Sequence, residues 1–311
     1  MKFILFGETN LDIILRGYGS YPTPGREVLV DDLLLTLGSS CAITGAGLAK
    51  LGDSVAYLSR PGDDYVGRLC LDRMIELGMD VSRVKLDPRL KTGVTVSITS
   101  HRDRSLVSYL GATTALTIQD FSKDTFSPFQ HVHSSSYFLQ TGLHPGFEDV
   151  FARAKREGLT TSLDPACDPA DRWKSNLDRV LRYVDVFLPN ESELAGITGE
   201  QDALAALRAL KSETTLTVAK LGSRGAMALQ NGEPVCVSAP RIIPVDTTGA
   251  GDNFNAGFLH AWTQGRTLVD ALRLGVACGS LSTQELGGTG VQPTEDQAER
   301  FLQSFTGAEA Q

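Results

Sequence analysis

Residues 246–258, which read DTTGAGDNFNAGF, combine two glycines with an acid and the start of an amphipathic pattern. Apolar side chains recur at helical spacing over residues 254–262 and predict a helix there. Gly249 and Gly251 therefore precede a helix, where free N–H groups and the helix dipole attract anions. The loop is predicted to bind phosphate, although neither G-x-x-x-x-G-K-[ST] nor G-x-G-x-x-G fits it.

Asp252 is unexpected in an anion-binding loop, because a carboxylate repels bound phosphate. The helix dipole favours its ionised form, which can accept a proton from a substrate hydroxyl. The N–H groups beside it can stabilise a phosphoryl group during transfer. The alternative is a purely structural role, in which the loop is a turn and the acid stabilises the helix dipole. A single G-x-G-D match, taken alone, would favour this alternative.

Strand-like and helix-like segments alternate along most of the chain. Predicted strands cover residues 2–6, 55–58, 131–139, 159–163, 184–188 and 216–220, and predicted helices cover 41–51, 65–77, 147–155, 203–210, 254–262, 268–280 and 296–305. Residues 226–238 are predicted to form a hairpin that turns at Asn231-Gly232. This alternation predicts an α/β fold whose mainly parallel sheet has helices on both faces.

Two segments, residues 13–37 and 88–112, depart from the alternation. The first has short extended pieces broken by Gly and Pro, and the second has two strands around a polar tip. We expect them to form a small β lid that covers a site. No repeat or linker-like stretch divides the chain, so residues 1–311 are predicted to form a single domain.

Bulk properties exclude several classes of function. The net charge of −8 disfavours a nucleic-acid surface, which needs a basic stripe. No apolar run approaches the roughly 20 residues of a membrane helix, and the apolar start is too short for a signal peptide. The five cysteines are scattered without C-x-x-C, as expected for reduced thiols of a cytoplasmic protein.

Residues 246–258 closely resemble the C-terminal signature of the ribokinase-like (PfkB) carbohydrate kinases, D-[ST]-x-G-A-G-D-x-F. Weaker matches follow the family's order: GETNLD at 7–12, LGSSCAITGAGLAKLG at 37–52, GDDYVG at 62–67, NESE at 190–193 and AKLGSRGA at 219–226. The resemblance covers nearly the whole chain. It implies a three-layer α/β/α ribokinase-like core with a mainly parallel sheet and a small β-strand lid.

The resemblance also implies a reaction, the transfer of a phosphoryl group from ATP with Mg²⁺ to a hydroxymethyl group of a sugar. Asp252 would be the catalytic base, and the backbone of Gly249, Ala250 and Gly251 would form an anion hole. The other implied site residues are Asn10, Asp12, Gly38 and Ser39 for the sugar, Asn190, Glu193, Lys220, Gly222 and Gly225 for the nucleotide, Glu193 for Mg²⁺ through water, and Asp246 and Thr248 for a monovalent cation such as K⁺.

Each weaker motif also has a structural interpretation when it is taken alone. Asn190 could cap a helix whose first turn is acidic, Gly222 and Gly225 could be turn glycines, and Asp12 could lie in a turn after a strand. The order of the motifs along the chain favours function for all of them.

The chain departs from the family where sugar specificity is expected. Ser39 replaces the second glycine of the N-terminal signature, and Ile43 replaces a sugar-binding asparagine. Residues 139–142 read LQTG where ribokinases place a glutamate, and Val276 replaces an adenine-side asparagine of some relatives. The loss of two polar groups argues against plain ribose as the acceptor.

Two alternatives to a sugar kinase remain open at this level. An apolar Ile43 would suit a nucleoside kinase, and a kinase fold could also serve as a non-catalytic sugar- or nucleotide-binding protein. Intact Asp252 and its glycines argue against the second. A Rossmann dehydrogenase is excluded because no glycine fingerprint follows the first strand. The apolar lid segment also suggests a homodimer formed through the lid.

Overall fold

The computed structural model describes residues 1–17, 22–99, 104–173, 176–210, 212 and 214–306. Residues 18–21 and 100–103, which belong to the two segments expected to form the lid, lie outside the described residues. Within the described ranges, no helix is both long enough and apolar enough to cross a membrane.

A large sheet forms the centre of the molecule, with the strand order β13-β12-β11-β10-β9-β8-β1-β4-β5. Its strands are β1 (Lys2–Phe6), β4 (Ser54–Ser59), β5 (Asp80–Val84), β8 (His131–Ser134), β9 (Thr160–Leu163), β10 (Val186–Phe187), β11 (Leu216–Lys220), β12 (Ala226–Gln230) and β13 (Glu233–Val237). Neighbouring strands are parallel from β5 to β11, and β12 and β13 add an antiparallel edge. The carboxyl ends of the parallel strands therefore lie along one edge of the sheet.

Helices cover both faces of this sheet, which confirms the predicted three-layer α/β/α core. They are α1 (Ser40–Lys50), α2 (Tyr65–Glu76), α3 (Phe147–Arg156), α4 (Leu177–Leu181), α5 (Glu191–Thr198), α6 (Ala203–Ala209), α7 (Ala250–Thr263), α8 (Leu268–Ser282) and α9 (Glu295–Thr306). One face buries small and aliphatic side chains of α1, α7 and α8. The other face is aromatic, with Phe6 against Phe147 and Phe151 beneath α3.

A second sheet of four strands, which we call the lid sheet, begins in the chain directly after β1. It contains β2 (Asn10–Arg16), β3 (Asp32–Leu37), β6 (Gly93–Thr99) and β7 (Arg104–Tyr109) in the order β3-β2-β6-β7. Only three residues separate the end of β1 from β2. The lid sheet therefore stands at the carboxyl edge of the main sheet.

Two predicted boundaries are wrong for identifiable reasons. The strand predicted over residues 131–139 stops at Ser134, because Ser136 is left-handed at a φ of 58° and a 3₁₀ turn follows. The helix predicted from residue 254 begins at Ala250, directly after Gly249 at a φ of 73°. This earlier start puts Asp252 in the first helical turn. The hairpin at Asn231-Gly232 is confirmed, with both residues at positive φ.

Candidate active site at the carboxyl edge of the sheet

Polar side chains collect where the parallel strands end. Glu8 lies two residues beyond β1, Asp164 follows β9, and Lys220 is the last residue of β11. Asn190 pairs with Lys220 in an isolated parallel bridge next to them. Helix α7 points its amino terminus at the same edge, so backbone donors and charged side chains share one region.

The loop before α7 is held in place from both sides. Oδ1 of Asp246 accepts hydrogen bonds from the N–H and the hydroxyl of Thr248, and Oδ2 accepts from the N–H of Gly287 at 2.9 Å. The amide of Asn253 donates to the carbonyl oxygens of Gly249 and Gly288, both at 2.9 Å. The N–H groups at the start of α7 are therefore fixed before any ligand binds.

Asp252 is half-buried in the first turn of α7, and the hydroxyl of Ser40 donates to its Oδ1. Burial raises the pKa of Asp252 to about 7, and the neighbouring Asp164 carboxylate adds to this rise. The Ser40 hydrogen bond and the Lys220 charge act in the opposite direction. The result is a carboxyl group that titrates near neutrality, as a general base requires.

The larger of two cavities at this edge has a volume of about 620 Å³. Its lining includes the residues predicted for the nucleotide and for the anion hole: Asn190, Glu193, Lys220, Gly222, Gly225, Gly249, Ala250, Gly251 and Asp252. Val276 also lines it. The structure thus brings together the motifs at residues 190–193, 219–226 and 246–258, which are separate in the sequence.

Lys220 is fixed in this cavity by a buried ion pair. Its Nζ lies 2.5 Å from Oδ2 of Asp164 and 3.3 Å from Oδ1 of Asn255. Burial alone would lower the pKa of Lys220, but the carboxylates of Asp164 and Glu193 raise it, so the ammonium stays charged. A Cβ placed on Gly251 would lie 3.6 Å from the Nζ. The cation therefore adjoins the backbone of the first turn of α7.

Asn190 and Glu193 form the capping box of α5. The N–H and the side-chain amide of Asn190 donate to Oε2 and Oε1 of Glu193, and the N–H of Glu193 donates back to Oδ1 of Asn190. The structural interpretation of N-x-x-E is therefore correct, and both residues line the larger cavity as well. Burial and the Asp164 carboxylate raise the pKa of Glu193 to about 7.

The smaller cavity, of about 250 Å³, lies under the lid sheet. Asn10, Asp12 and Ser39 line it, as predicted for substrate binding, together with Glu8, Ile43 and hydroxyl-bearing residues of β6 and β7. The amide of Asn10 donates to Oδ1 of Asp12 at 3.0 Å. The two cavities share four lining residues, Ser40, Leu106, Gly249 and Asp252. The carboxyl group of Asp252 is thus common to the two spaces.

Several predicted residues take part in the site indirectly. Gly38 lines neither cavity, but a side chain there would collide with Asp12. Ser39 has a φ of 70°, and its hydroxyl donates to the carbonyl of Glu8 at 2.7 Å and accepts from the N–H of Ala42. Ile43 packs against Gly249 and Gly288, so it supports the anion-binding loop besides lining the smaller cavity.

Sequence reasoning missed Asp164, Asn255 and Ser40. Asp164 carried a usable signal, because an acid directly after a buried parallel strand lies at the edge where ligands bind. Asn255 and Ser40 carried none, because their contacts with Asp164 and Asp252 span 91 and 212 residues.

The fold and the paired cavities that meet at one acid define a small-molecule kinase with the ribokinase-like fold. Residues 2–295 match the pfkB family of carbohydrate kinases, and the chain belongs to this family. It is 31% identical to a fructokinase of Klebsiella pneumoniae over 97% of this chain and 99% of that protein. It is 26% identical to a ribokinase of Haemophilus influenzae over 96% and 97% of the two chains.

A solved structure is also similar to this chain. The fructokinase of Vibrio cholerae O395, in a form bound to fructose, ADP and calcium ion, superposes with a TM-score of 0.79 at 25% identity, over 97% of this chain and 99% of that one. The protein is therefore a sugar kinase, a phosphotransferase that uses ATP and an alcohol acceptor.

Proposed function

We propose that the protein transfers the γ-phosphoryl group of ATP to a hydroxymethyl group of a sugar, with Asp252 as the base. The observation that carries this proposal is the position of Asp252 between the two cavities. ATP in the larger cavity and a sugar in the smaller one would meet at its carboxyl group. Its pKa of about 7 allows it to accept the proton of the attacking hydroxyl near neutral pH.

The first turn of α7 would stabilise the transferred group. The N–H groups of Gly249, Ala250 and Gly251 lie beside Asp252 at a helix amino terminus, which favours developing negative charge; that of Ala250 also donates to the carbonyl oxygen of Thr247 at 3.3 Å. Lys220 adds a fixed cation next to this turn. Phosphoryl transfer depends mainly on alignment and charge stabilisation, and this arrangement supplies both.

The larger cavity offers carboxyl groups to a magnesium ion held through water, since among the described residues no three acidic, histidine or cysteine side chains form a group that could hold a metal ion directly. Three carboxyl groups, of Asp164, Glu193 and Asp252, face one ammonium group, and two of the three have a pKa raised to about 7. Carboxylate oxygens are the donors that Mg²⁺ prefers, usually together with retained waters. When bound, Mg²⁺ would neutralise phosphate charge. Glu193 would hold it through water, and Asn190 would keep the Glu193 carboxyl oriented.

A monovalent cation such as K⁺ at residues 246–248 would act through the loop. Asp246 is 4% exposed and ties Thr248 to Gly287. A cation there would stabilise the buried carboxylate and hold the anion hole in shape. The expected result is a higher kcat in K⁺ than in tetramethylammonium at equal ionic strength.

A coupled assay of ADP release over a panel of sugars, sugar phosphates and nucleosides tests the proposal. We expect turnover with at least one neutral sugar, and Asp252→Asn should lower kcat by orders of magnitude while ATP still binds. Turnover that survives in this variant would refute the role of Asp252.

Two other functions remain as outcomes of the same panel. A preference for nucleosides would favour a nucleoside kinase, and the apolar Ile43 in the smaller cavity is the observation that supports it. No ADP release from any panel member, with sugar binding retained, would favour a non-catalytic binding protein.

We further propose that the lid sheet mediates a homodimer. Its edge strands β3 and β7 expose apolar side chains, with Leu33 at 55%, Val107 at 63% and Tyr109 at 57%. Leu35 of β3 and Val107 of β7 are in register through β2 and β6 and therefore share one face of the lid sheet, and an exposed apolar face is typical of a protein–protein interface. Light scattering should show twice the chain mass, and Val107→Glu should give a monomer.

A further inference from the structure

An acid in the wall of the smaller cavity takes no part in the proposed transfer. Glu8 is 5% exposed and lines this cavity. Its Oε1 accepts a hydrogen bond from the hydroxyl of Ser136 at 2.8 Å. Its Oε2 is buried and forms no hydrogen bond with any described residue. One oxygen of this carboxyl group is therefore held, and the other is unsatisfied beside the cavity.

Burial raises the pKa of Glu8, and the neighbouring hydroxyls of Ser136 and Ser39 and N–H groups of Glu8 and Ser40 offset this only in part. Buried polar atoms in folded proteins nearly always have partners, and an unpaired one is costly. One reason to retain such an atom is that a ligand supplies the missing hydrogen bond. Glu8 lines the smaller cavity, so a ligand in that cavity lies next to this residue.

The main chain at Glu8 is rigid, which suits a recognition role. Its carbonyl oxygen accepts hydrogen bonds from the hydroxyls of Ser39 at 2.7 Å and Tyr57 at 2.5 Å. Together with the Ser136 contact, these bonds fix both ends of the residue. The unsatisfied oxygen is thus preorganised, and little entropy is lost when it binds a ligand group.

The charges of the smaller cavity restrict which ligand can approach. Asp12 and Asp252 line it with Glu8, and the negative charge of Glu8 contributes to the raised pKa of Asp252. No lysine or arginine is among the described residues of its lining. A ligand with a carboxylate or phosphate at this end would be repelled by these acids. A neutral hydroxyl can donate to a carboxylate without that penalty.

We propose that Glu8 is a specificity-determining residue: its Oε2 binds a hydroxyl of an uncharged polyol acceptor and excludes acidic acceptors from the site. This inference rests on the proposed sugar-kinase function and deepens it. The volume of about 250 Å³ agrees with an acceptor no larger than a monosaccharide, below the range of roughly 300–1,000 Å³ typical of drug-sized ligands.

The first test is a cycle of substrate and enzyme changes. The acceptor is the neutral sugar with the highest kcat/KM in the panel, compared with its monodeoxy analogues. Glu8→Met, which keeps the volume and removes the hydrogen bond, should lower kcat/KM for the parent sugar by about 10- to 100-fold. One deoxy analogue should show a similar loss with the wild-type enzyme and no further loss with the variant. Equal additional losses on every analogue would overturn the proposal.

The second test removes only the charge. Glu8→Gln keeps a group that can bond a hydroxyl, so the variant should retain part of its activity on the neutral sugar. The ratio of kcat/KM for the corresponding sugar acid to that for the neutral sugar should rise at least about tenfold, since the variant has no carboxyl group at this position to repel an acid. An unchanged ratio in a folded variant would contradict the exclusion of acids.

Gln140→Met is the matched control. Gln140 is buried, its Oε1 is also unpaired, and it lines neither cavity. This variant should change thermal stability and leave the relative kcat/KM values for the deoxy and acidic acceptors unchanged. If Gln140→Met changed these values as the Glu8 variants do, the proposal would be overturned. Failure of every acceptor with the wild-type enzyme would instead refute the kinase function itself, so the two failures are distinguishable.

Discussion

The hydroxyl of Ser40 opposes the effect of burial on the pKa of Asp252, because it donates to the carboxylate of the proposed base. In the wild-type protein this bond lowers the pKa of Asp252. Ser40→Ala removes the bond and should therefore raise that pKa. A base works in its ionised form, so activity falls as pH falls through its pKa. The acidic limb of the pH profile should therefore move to higher pH in the variant.

The size of the displacement follows from the energy of the bond. A hydrogen bond to a charged group contributes roughly 1.5–3 kcal/mol, and one pKa unit corresponds to about 1.4 kcal/mol. The pKa of Asp252, about 7 in the wild type, should thus rise by roughly 1 to 2 units. At pH 7 its ionised fraction would fall from about one half to roughly 1–10%, which is a loss of roughly 5- to 50-fold in kcat/KM.

The assay is a profile of kcat/KM for the acceptor between pH 5.5 and 9.5, which reports groups of the free enzyme. At pH 9.5 the Ser40→Ala variant should come within about twofold of the wild type, since Asp252 is ionised in both. Ser40→Thr keeps the hydroxyl and should keep the wild-type limb. An acidic limb that does not move, or a loss of equal size at every pH, would refute the reasoning.

Three further variants test other parts of the site. Lys220→Met should destabilise the protein by about 3–5 kcal/mol in urea unfolding, because it leaves the buried charge of Asp164 without its ammonium partner, and Lys220→Met/Asp164→Asn should recover part of that loss. The pKa of Asp252 rises from 3.8 to about 7 on folding, so the Asp252→Asn variant should have a free energy of unfolding higher than that of the wild type at pH 8, by at most about 4 kcal/mol. This difference should disappear towards pH 4. Equal free energies of unfolding at pH 8 would contradict the shift in pKa. Gly249→Ala should lower both the melting temperature and kcat, because Gly249 has a φ of 73° and a Cβ there would lie 2.5 Å from the Cα of Gly288.

The sequence determined much of the fold through local patterns. Alternating strands and helices predicted a parallel sheet covered on both faces, and the glycines before α7 predicted an anion-binding helix terminus. These features follow from hydrophobic periodicity and backbone chemistry within about 15 residues, which the order of residues alone specifies. Boundaries were less predictable where left-handed residues end an element, as Ser136 does after β8.

Ile43 shows what a local comparison could not reveal. In the sequence it is a missing hydrogen-bonding group or an apolar contact for a nucleoside, whereas in the structure its side chain packs on the glycines of the anion-binding loop. A substituted side chain takes its role from the neighbours that the fold brings to it. The loss of one polar group therefore does not specify which acceptor the cavity binds.

Only the tertiary structure decided how the charges of the site are balanced. Asp164 pairs with Lys220 across 56 residues, Ser40 reaches Asp252 across 212, and Ser136 holds Glu8 across 128. Each contact depends on strand order and on the docking of α1, α7 and the lid sheet, none of which periodicity specifies. The sequence alone therefore identified the acid at the helix terminus. Its burial and its neighbours, which set its pKa and the shape of the cavity beside it, exist only in the folded protein.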